Sequence, residues 1–282
     1  MTELRIATRR SDLALAQARF VAGLLESRSA SVSLVEISTT GDIDRTSPVA
    51  ALTEMGAFVR AVQQAVLDGR ADLAVHSCKD LPVAGPDGLR QWYPQREEPW
   101  DALCGATPAS LRPGARVGTG SPRRASQMAI LRPDVEVVPI RGNVETRLGK
   151  IGAEVDAVVL AEAGLARVGL ADSITHRFGL DEMVPAPAQA ALCVEALEGT
   201  EAAGLLDTID DPAVRAVVEA ERLLLSETGA GCRSALGALA TRDGDRYEMT
   251  GFVDDDDGPR RGTVAAETPE QLVSAMIAAL SL

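Results

Sequence analysis

The chain has 282 residues, too many for one small core and suited to two or three domains of ordinary size. Its net charge of −13 argues against a nucleic-acid partner, which selects basic surfaces, and against a peripheral membrane protein, which carries basic clusters. Apolar residues at 46% fit a globular protein, while aromatics at 3% leave the cores to Ala, Val, Leu and Ile and argue against a base-stacking platform. The N-terminal MTELRIATRR lacks the apolar stretch of a signal peptide, and no run approaches 18 uninterrupted apolar residues. Cys78, Cys104, Cys193 and Cys232 form no CxxC pair and no zinc-type cluster. A reduced, cytoplasmic protein is expected, with no membrane span, disulfide framework or structural metal.

In chain order, Leu4 to Thr8 predicts a strand, and Ser11 caps a helix with Asp12 in its first turn, where negative charge is favoured. Leu13, Ala16, Phe20 and Leu24 recur at helical spacing and predict its apolar stripe. Ser33 to Thr39 predicts a second strand and Gly41 to Pro48 a polar loop. Thr53 then predicts the cap of a helix carrying Phe58, Val62 and Val66 and closed by Gly69. A third strand begins at Ala71. This β-α-β-α-β run implies a parallel sheet with helices on its faces. Pro82 to Pro99 is rich in Pro and Gly and predicts a domain boundary. A second α/β unit follows, with strands at Arg116 to Gly118, Val135 to Ile140 and Asp156 to Ala161 and helices at Ser121 to Leu131 and Asn143 to Lys150. Pro185 to Ala190 returns the chain towards the first domain. From Asp211 and Pro212, cap and first residue of a helix reaching about Glu227, the pattern changes. Three strands at Ser234 to Thr241, Tyr247 to Val253 and Gly262 to Glu267, separated by hairpin-type turns, and a last helix at Pro269 to Leu280 predict a small α+β domain. The aspartates from Asp254 to Asp257 read as a solvated turn, because the calcium-loop pattern is not met.

The chemistry concentrates at strand ends. The stretch Ala71 to Pro82, ADLAVHSCKDLP, delivers Ser77, Lys79 and Asp80 to the carboxyl end of a strand, the rim where open α/β sheets bind ligands. Lys79 is one of only two lysines, with Lys150, among 28 basic residues. An ordinary surface Lys–Asp pair is the bland alternative. His76 lies inside the strand and reads as structural, and Asp80 is the best acid/base candidate. Three strand-to-helix turns carry arginines: Arg9-Arg10 before Ser11, Arg123-Arg124 after Ser121-Pro122, and Arg141 before Asn143 with Arg147 one turn on. Arginine in a first helical turn opposes the macrodipole, so the repetition points to a bound carboxylate or phosphate. In Gly229-Ala230-Gly231-Cys232-Arg233-Ser234 the neighbouring Arg favours a reactive thiolate at Cys232; a small buried residue is the alternative.

These segments together resemble the porphobilinogen deaminase (hydroxymethylbilane synthase) family: RIATRRS, HSCKDLP, GTGSPRR, PIRGNVETRL, LAEAGLARVGL and GCRSALGALA occur in the family's order over nearly the whole chain. The resemblance implies an α/β fold of two periplasmic-binding-protein-like domains with a cleft between them, plus a small C-terminal α+β domain. The implied divisions are 1–95 with a return segment at about 190–208, then 96–189, then 210–282 with the cofactor cysteine. It implies a dipyrromethane cofactor joined by thioether to Cys232, and a transferase that condenses four porphobilinogen units with loss of ammonia. Asp80 would pass protons to the departing amine and stabilise the positive charge that develops. Ser77, Lys79, Thr119, Ser121, Arg123, Arg124, Arg141 and Arg147 match cofactor-binding positions, and Arg9, Ser11 and Gln189 the substrate side. The implied partners are porphobilinogen and the growing oligopyrrole, bound by a monomer without metal, nucleic acid or membrane. Two departures stand out. Ala51 and Met55 occupy positions where the family carries lysines, and Ala188-Gln189-Ala190 replaces Gly-Gln-Gly, which stiffens the return segment. A divergent paralogue or two-lobed binding module that holds a pyrrole polyanion without efficient elongation is the alternative.

Overall fold

The structure, a computed structural model, describes residues 2–37, 50–229 and 235–282, with the backbone alone at 50–55 and 57. In chain order the elements are β1 Thr2–Thr8, α1 Asp12–Glu26, β2 Ala30–Glu36, α2 Ala50–Leu67, β3 Leu73–Ser77, β4 Leu89–Trp92, β5 Asp101–Cys104, β6 Arg116–Thr119, α3 Pro122–Leu131 and β7 Glu136–Pro139. They continue as α4 Val144–Leu148, β8 Ala157–Ala161, α5 Glu162–Arg167, β9 Ile174–Arg177, β10 Leu192–Leu197, α6 Glu201–Leu206, α7 Pro212–Glu227, β11 Gly237–Asp243, β12 Arg246–Asp255, β13 Gly258–Ala266 and α8 Pro269–Leu280. The chain is mixed α/β and forms two compact units, residues 1–96 with 191–215 and residues 97–190 with 216–282.

Unit 1 is built on a five-stranded sheet of order β2-β1-β3-β10-β4. The first three strands run parallel, as the β-α-β-α-β pattern requires, but β10 runs against them, and β4, antiparallel to β10, turns back to their direction. The all-parallel sheet expected from sequence is therefore mixed: the fourth strand comes from the return segment, and β4 lies inside the stretch expected to be irregular. Helix α1 starts at its Ser11 cap, whose hydroxyl accepts from Ala14 N. Its buried face is Gln17, Ala18, Val21, Ala22 and Leu25. The expected stripe is thus rotated by about one residue, leaving Phe20 exposed, because a helix this rich in Ala and Leu offers two adjacent apolar faces. Helix α2 begins at Ala50, so Thr53 lies within it and is not its cap.

Unit 2 holds a sheet of order β7-β6-β8-β5-β9, again three parallel strands, a fourth that runs against them and a fifth antiparallel to the fourth. The segment expected to form a C-terminal domain has its own sheet, β11-β12-β13, and its own core around Leu224, Met249, Leu272 and Met276. It packs within unit 2 through close backbone contact. Ala238 N donates to Pro185 O (2.9 Å), and a Cβ on Gly237 would meet Val184 O at 2.8 Å, so only glycine fits there. The wholly buried Glu221 on α7 accepts from Ala188 N (2.6 Å) and Ala240 N (2.7 Å). Ala188 and Ala190 hold left-handed backbone, φ 59° and 68°, at a cost of about 1–2 kcal/mol each for a residue with a Cβ. The Glu221 bond, and Arg167 Nη2 donating to Ala190 O (2.5 Å), help offset that cost.

Candidate active site

In unit 1, β1 and β3 are parallel neighbours, with Ile6 opposite Leu73 and Ala7 opposite Ala74, so their carboxyl ends bring Arg9 and Ser11 to the same sheet edge as Ser77, Lys79 and Asp80. The end of β3 is pinned residue by residue. Ser77 Oγ accepts from Gln17 Nε2 of α1 (2.7 Å), and Cys78 N donates to Ala191 O (3.0 Å). Cys78–Asp80 then form a single tight turn, closed by Leu81 N donating to Cys78 O (3.1 Å), before Pro82 ends regular pairing. Lys79 and Asp80 are half-buried. The Arg9 guanidinium lies 4.1 Å from the Phe58 ring centroid, and its Nε is buried with no hydrogen-bond partner among the described residues. Arg10 turns outward, 3.3 Å from Glu36.

In unit 2, β6 ends at Thr119, and Ser121 caps α3, its hydroxyl accepting from Arg124 N (3.4 Å) with Pro122 at the first helical position. Gly120 is required between them, since a Cβ there would meet Ile140 O at 2.9 Å. The two arginines that follow do not point outward. Arg123 Nη1 donates to Asp101 Oδ2 (2.7 Å) and Val184 O (2.6 Å). Arg124 Nε donates to Asp101 Oδ1 (2.8 Å), and Gln189 Nε2 donates to the same oxygen (3.0 Å) and to Pro99 O (2.7 Å). Asp101 and Gln189 are wholly buried and both arginines nearly so. Burial pulls the Arg123 guanidinium below its ordinary range, and the Asp101 charge opposes this. Arg123 and Arg124, expected to bind the cofactor, thus pair with a protein carboxylate, and Gln189, expected on the substrate side, is part of the same buried node. Arg141, after β7, is exposed. Asn143 caps α4 by accepting from Thr146 N (2.8 Å), and Arg147 Nε donates to Gly142 O (2.8 Å).

Cys232 lies outside the described residues, as do the side chains of Ala51 and Met55. No cluster of potential metal ligands occurs among the described residues. Three groups escaped the sequence reading. Asp101 was hidden as a single acid at the head of the apolar run DALC. Glu195 was hidden inside the apolar β10. Arg167 ends α5 and lies 2.9 Å from Glu97, and burial lowers its pKa against the pull of that carboxylate. Only long-range pairing distinguishes these from surface charges.

The family model described as porphobilinogen deaminase, dipyromethane cofactor binding domain, matches residues 4–204. The chain belongs to the porphobilinogen deaminase family. It is 46% identical to the porphobilinogen deaminase of Thermobifida fusca, the match covering 97% of this chain and 85% of that protein. It is 44% identical to that of Acidothermus cellulolyticus, covering 92% and 81%. Among solved structures it is similar to the methionine binding protein MetQ at 11% identity, covering 73% of this chain and 89% of that one with a TM-score of 0.44, a likeness too slight to carry an argument. The residues present fit a polycarboxylate cofactor. The half-buried Ser121 follows an exposed Gly120, Arg141 is exposed at the next strand end, and the node behind them sets two guanidiniums against one carboxylate.

Proposed function

We propose that Asp80 is the proton-transfer group of this enzyme and that cations at the strand ends hold the carboxylates of its pyrroles. The chain is a transferase that condenses porphobilinogen units head to tail, with loss of ammonia, onto a dipyrromethane primer and releases hydroxymethylbilane. When bound, the dipyrromethane supplies the pyrrole carbon that takes the first unit. Ser77, Lys79, Thr119, Ser121, Arg141 and Arg147 would hold it, and Arg9 and Ser11 would receive the incoming unit. Every pyrrole brings an acetate and a propionate, which suits guanidinium and ammonium groups. Arg123 and Arg124 act from behind, keeping one net positive charge under the Ser121 turn. The Asp80 carboxyl group gives a proton to the departing amine, stabilises as the resulting carboxylate the cation left when the C–N bond breaks, and recovers a proton from the pyrrole carbon that forms the new C–C bond. Thioether attachment at Cys232 belongs to this reading. Its support is that Cys78, Cys104 and Cys193 are all buried, with burial pushing the Cys104 thiol up to about 11, while a thiolate is the nucleophilic form. We read the enzyme as a cytoplasmic monomer; no described helix is long and apolar enough to cross a membrane.

The observation that carries this reading is the half-buried Asp80 in a turn held by Gln17, Ala191 and Cys78. Asp80→Asn is expected to lower turnover per cofactor-loaded enzyme by roughly 10²- to 10⁴-fold, the scale of a positioned acid/base group, with an unchanged melting temperature. Near-normal turnover in Asp80→Asn would remove Asp80 from the mechanism.

A further inference from the structure

His76 sits one residue before the rim at Ser77 and is nearly buried, which is unusual for a group able to carry charge. Its partner is Glu195 of β10, a wholly buried carboxylate whose Oε2 lies 3.2 Å from His76 Nε2, at ion-pair distance though without hydrogen-bond geometry. The same oxygen accepts from Gln63 Nε2 of α2 (2.9 Å), and Oε1 accepts from Gln91 Nε2 of β4 (2.9 Å). Gln91 Oε1 in turn accepts from the Tyr93 hydroxyl (2.8 Å). Three elements of unit 1, β3, α2 and β4, therefore converge on one acid of a fourth, β10. A charge buried this completely is costly unless it is paired and hydrogen-bonded, and here both oxygens are engaged. Two of its three partners are neutral amides, so His76 is the only one of the three that can supply positive charge. Burial pushes the Glu195 carboxyl up, and the contacts from His76, Gln91 and Gln63 outweigh it, holding the group below the ordinary glutamate range.

We propose that Glu195, acting through His76, is a positioning residue that fixes the end of β3 and with it the placement of Asp80. The inference rests on Asp80 being the proton-transfer group. Consecutive residues at and just beyond the end of β3 are held from different places: His76 by Glu195, Ser77 by Gln17 and Cys78 by Ala191 O. Asp80 follows two residues later inside a single tight turn, too short to absorb a shift at its base. Removing the His76 anchor moves the whole rim, and small misplacements of a reacting group are expensive in rate. The Gln63 contact extends the constraint to α2, which carries Phe58 under Arg9.

The test is Glu195→Gln, which keeps shape but puts an amide donor where an acceptor stood. Turnover is measured per cofactor-loaded enzyme, alongside KM and melting temperature. The expected result is a fall in kcat of roughly 10- to 100-fold with KM for porphobilinogen changed by less than about threefold. Adding His76→Gln, whose amide oxygen accepts from the new donor, should recover most of the lost kcat. A purely structural role would lower melting temperature and the loaded fraction while leaving kcat per loaded enzyme unchanged, and that result overturns the proposal. A double variant no faster than Glu195→Gln overturns the pairing. If Glu195→Gln does not fold, His76→Gln alone is measured, and an unchanged kcat there is equally fatal. Asp80→Asn is run in parallel. If it keeps its turnover, the reading of Asp80 fails; if it loses turnover while Glu195→Gln does not, only the positioning role fails.

Discussion

The sheets of the two units, β2-β1-β3-β10-β4 and β7-β6-β8-β5-β9, match position for position in strand direction, and in each the fourth strand runs against the other four and carries a buried carboxylate. In unit 1 that group is Glu195, held by two amides and a histidine; in unit 2 it is Asp101, held by two guanidiniums and an amide. The first strand-to-helix turns differ in parallel fashion. After β1 the arginines precede the cap Ser11, so they belong to the loop and remain at least partly exposed. After β6 they follow the cap Ser121, so the helical turn carries them down into the unit and onto Asp101. One residue type in one kind of turn serves two purposes, and its place relative to the cap decides which.

The sharpest way to break this comparison is to remove the acid of unit 2. Asp101→Asn leaves two buried guanidiniums facing each other without compensation, and a broken buried pair costs about 3–5 kcal/mol. Chemical denaturation should show a loss of that size, or no folded protein. A loss below about 1 kcal/mol, the range of an ordinary surface change, would mean that the node contributes nothing to the fold. The next effect separates the two classes of arginine. Arg141 is exposed, so Arg141→Leu should leave stability within about 0.5 kcal/mol of the parent while lowering the fraction of enzyme that carries the cofactor. Arg123→Leu should instead lower stability and cofactor loading together. Intact mass and denaturation curves on the same preparations check both, and equal stability losses in the two variants would erase the distinction.

Much of this organisation was legible locally. Ser11, Ser121, Asn143 and Asp211 were readable as caps because a cap is a contact three residues long or less. Helix α8 occupies the expected Pro269–Leu280 for the same reason: Thr268 caps it and Pro269 opens it. Strands β4, β5 and β9 were not legible: each is four residues long, and none leads into a capped helix as the equally short β6 and β7 do. The antiparallel half of each sheet escaped because β10 reaches β3 from more than a hundred residues away and β5 precedes its own βαβ unit. The arginine turns show the limit most clearly. The sequence reading pointed to a bound ligand anion at Arg123 and Arg124, and nothing local marks Asp101, 22 residues upstream, as a protein carboxylate paired with them.

The smallest effect concerns how each buried acid answers to pH, and it sharpens the contrast between the units. Glu195 is held below the ordinary glutamate value of about 4.3, so the unfolded chain binds its proton first as pH falls. Stability from this group is therefore fully present above that ordinary value and is lost as pH drops through the lower folded value. Glu195→Gln has no such proton to bind. The stability gap between parent and Glu195→Gln should narrow below about pH 4, as the parent loses what the variant never had. Urea denaturation at stepped pH measures the gap directly. A gap that widens on acidification would mean that the folded carboxyl is held above its ordinary value, so that burial outweighs the contacts from His76, Gln91 and Gln63. Glu195 would then be a strained acid, unlike Asp101 with its two permanent cations, and the pair it forms with His76 could not serve as a firm anchor for the end of β3.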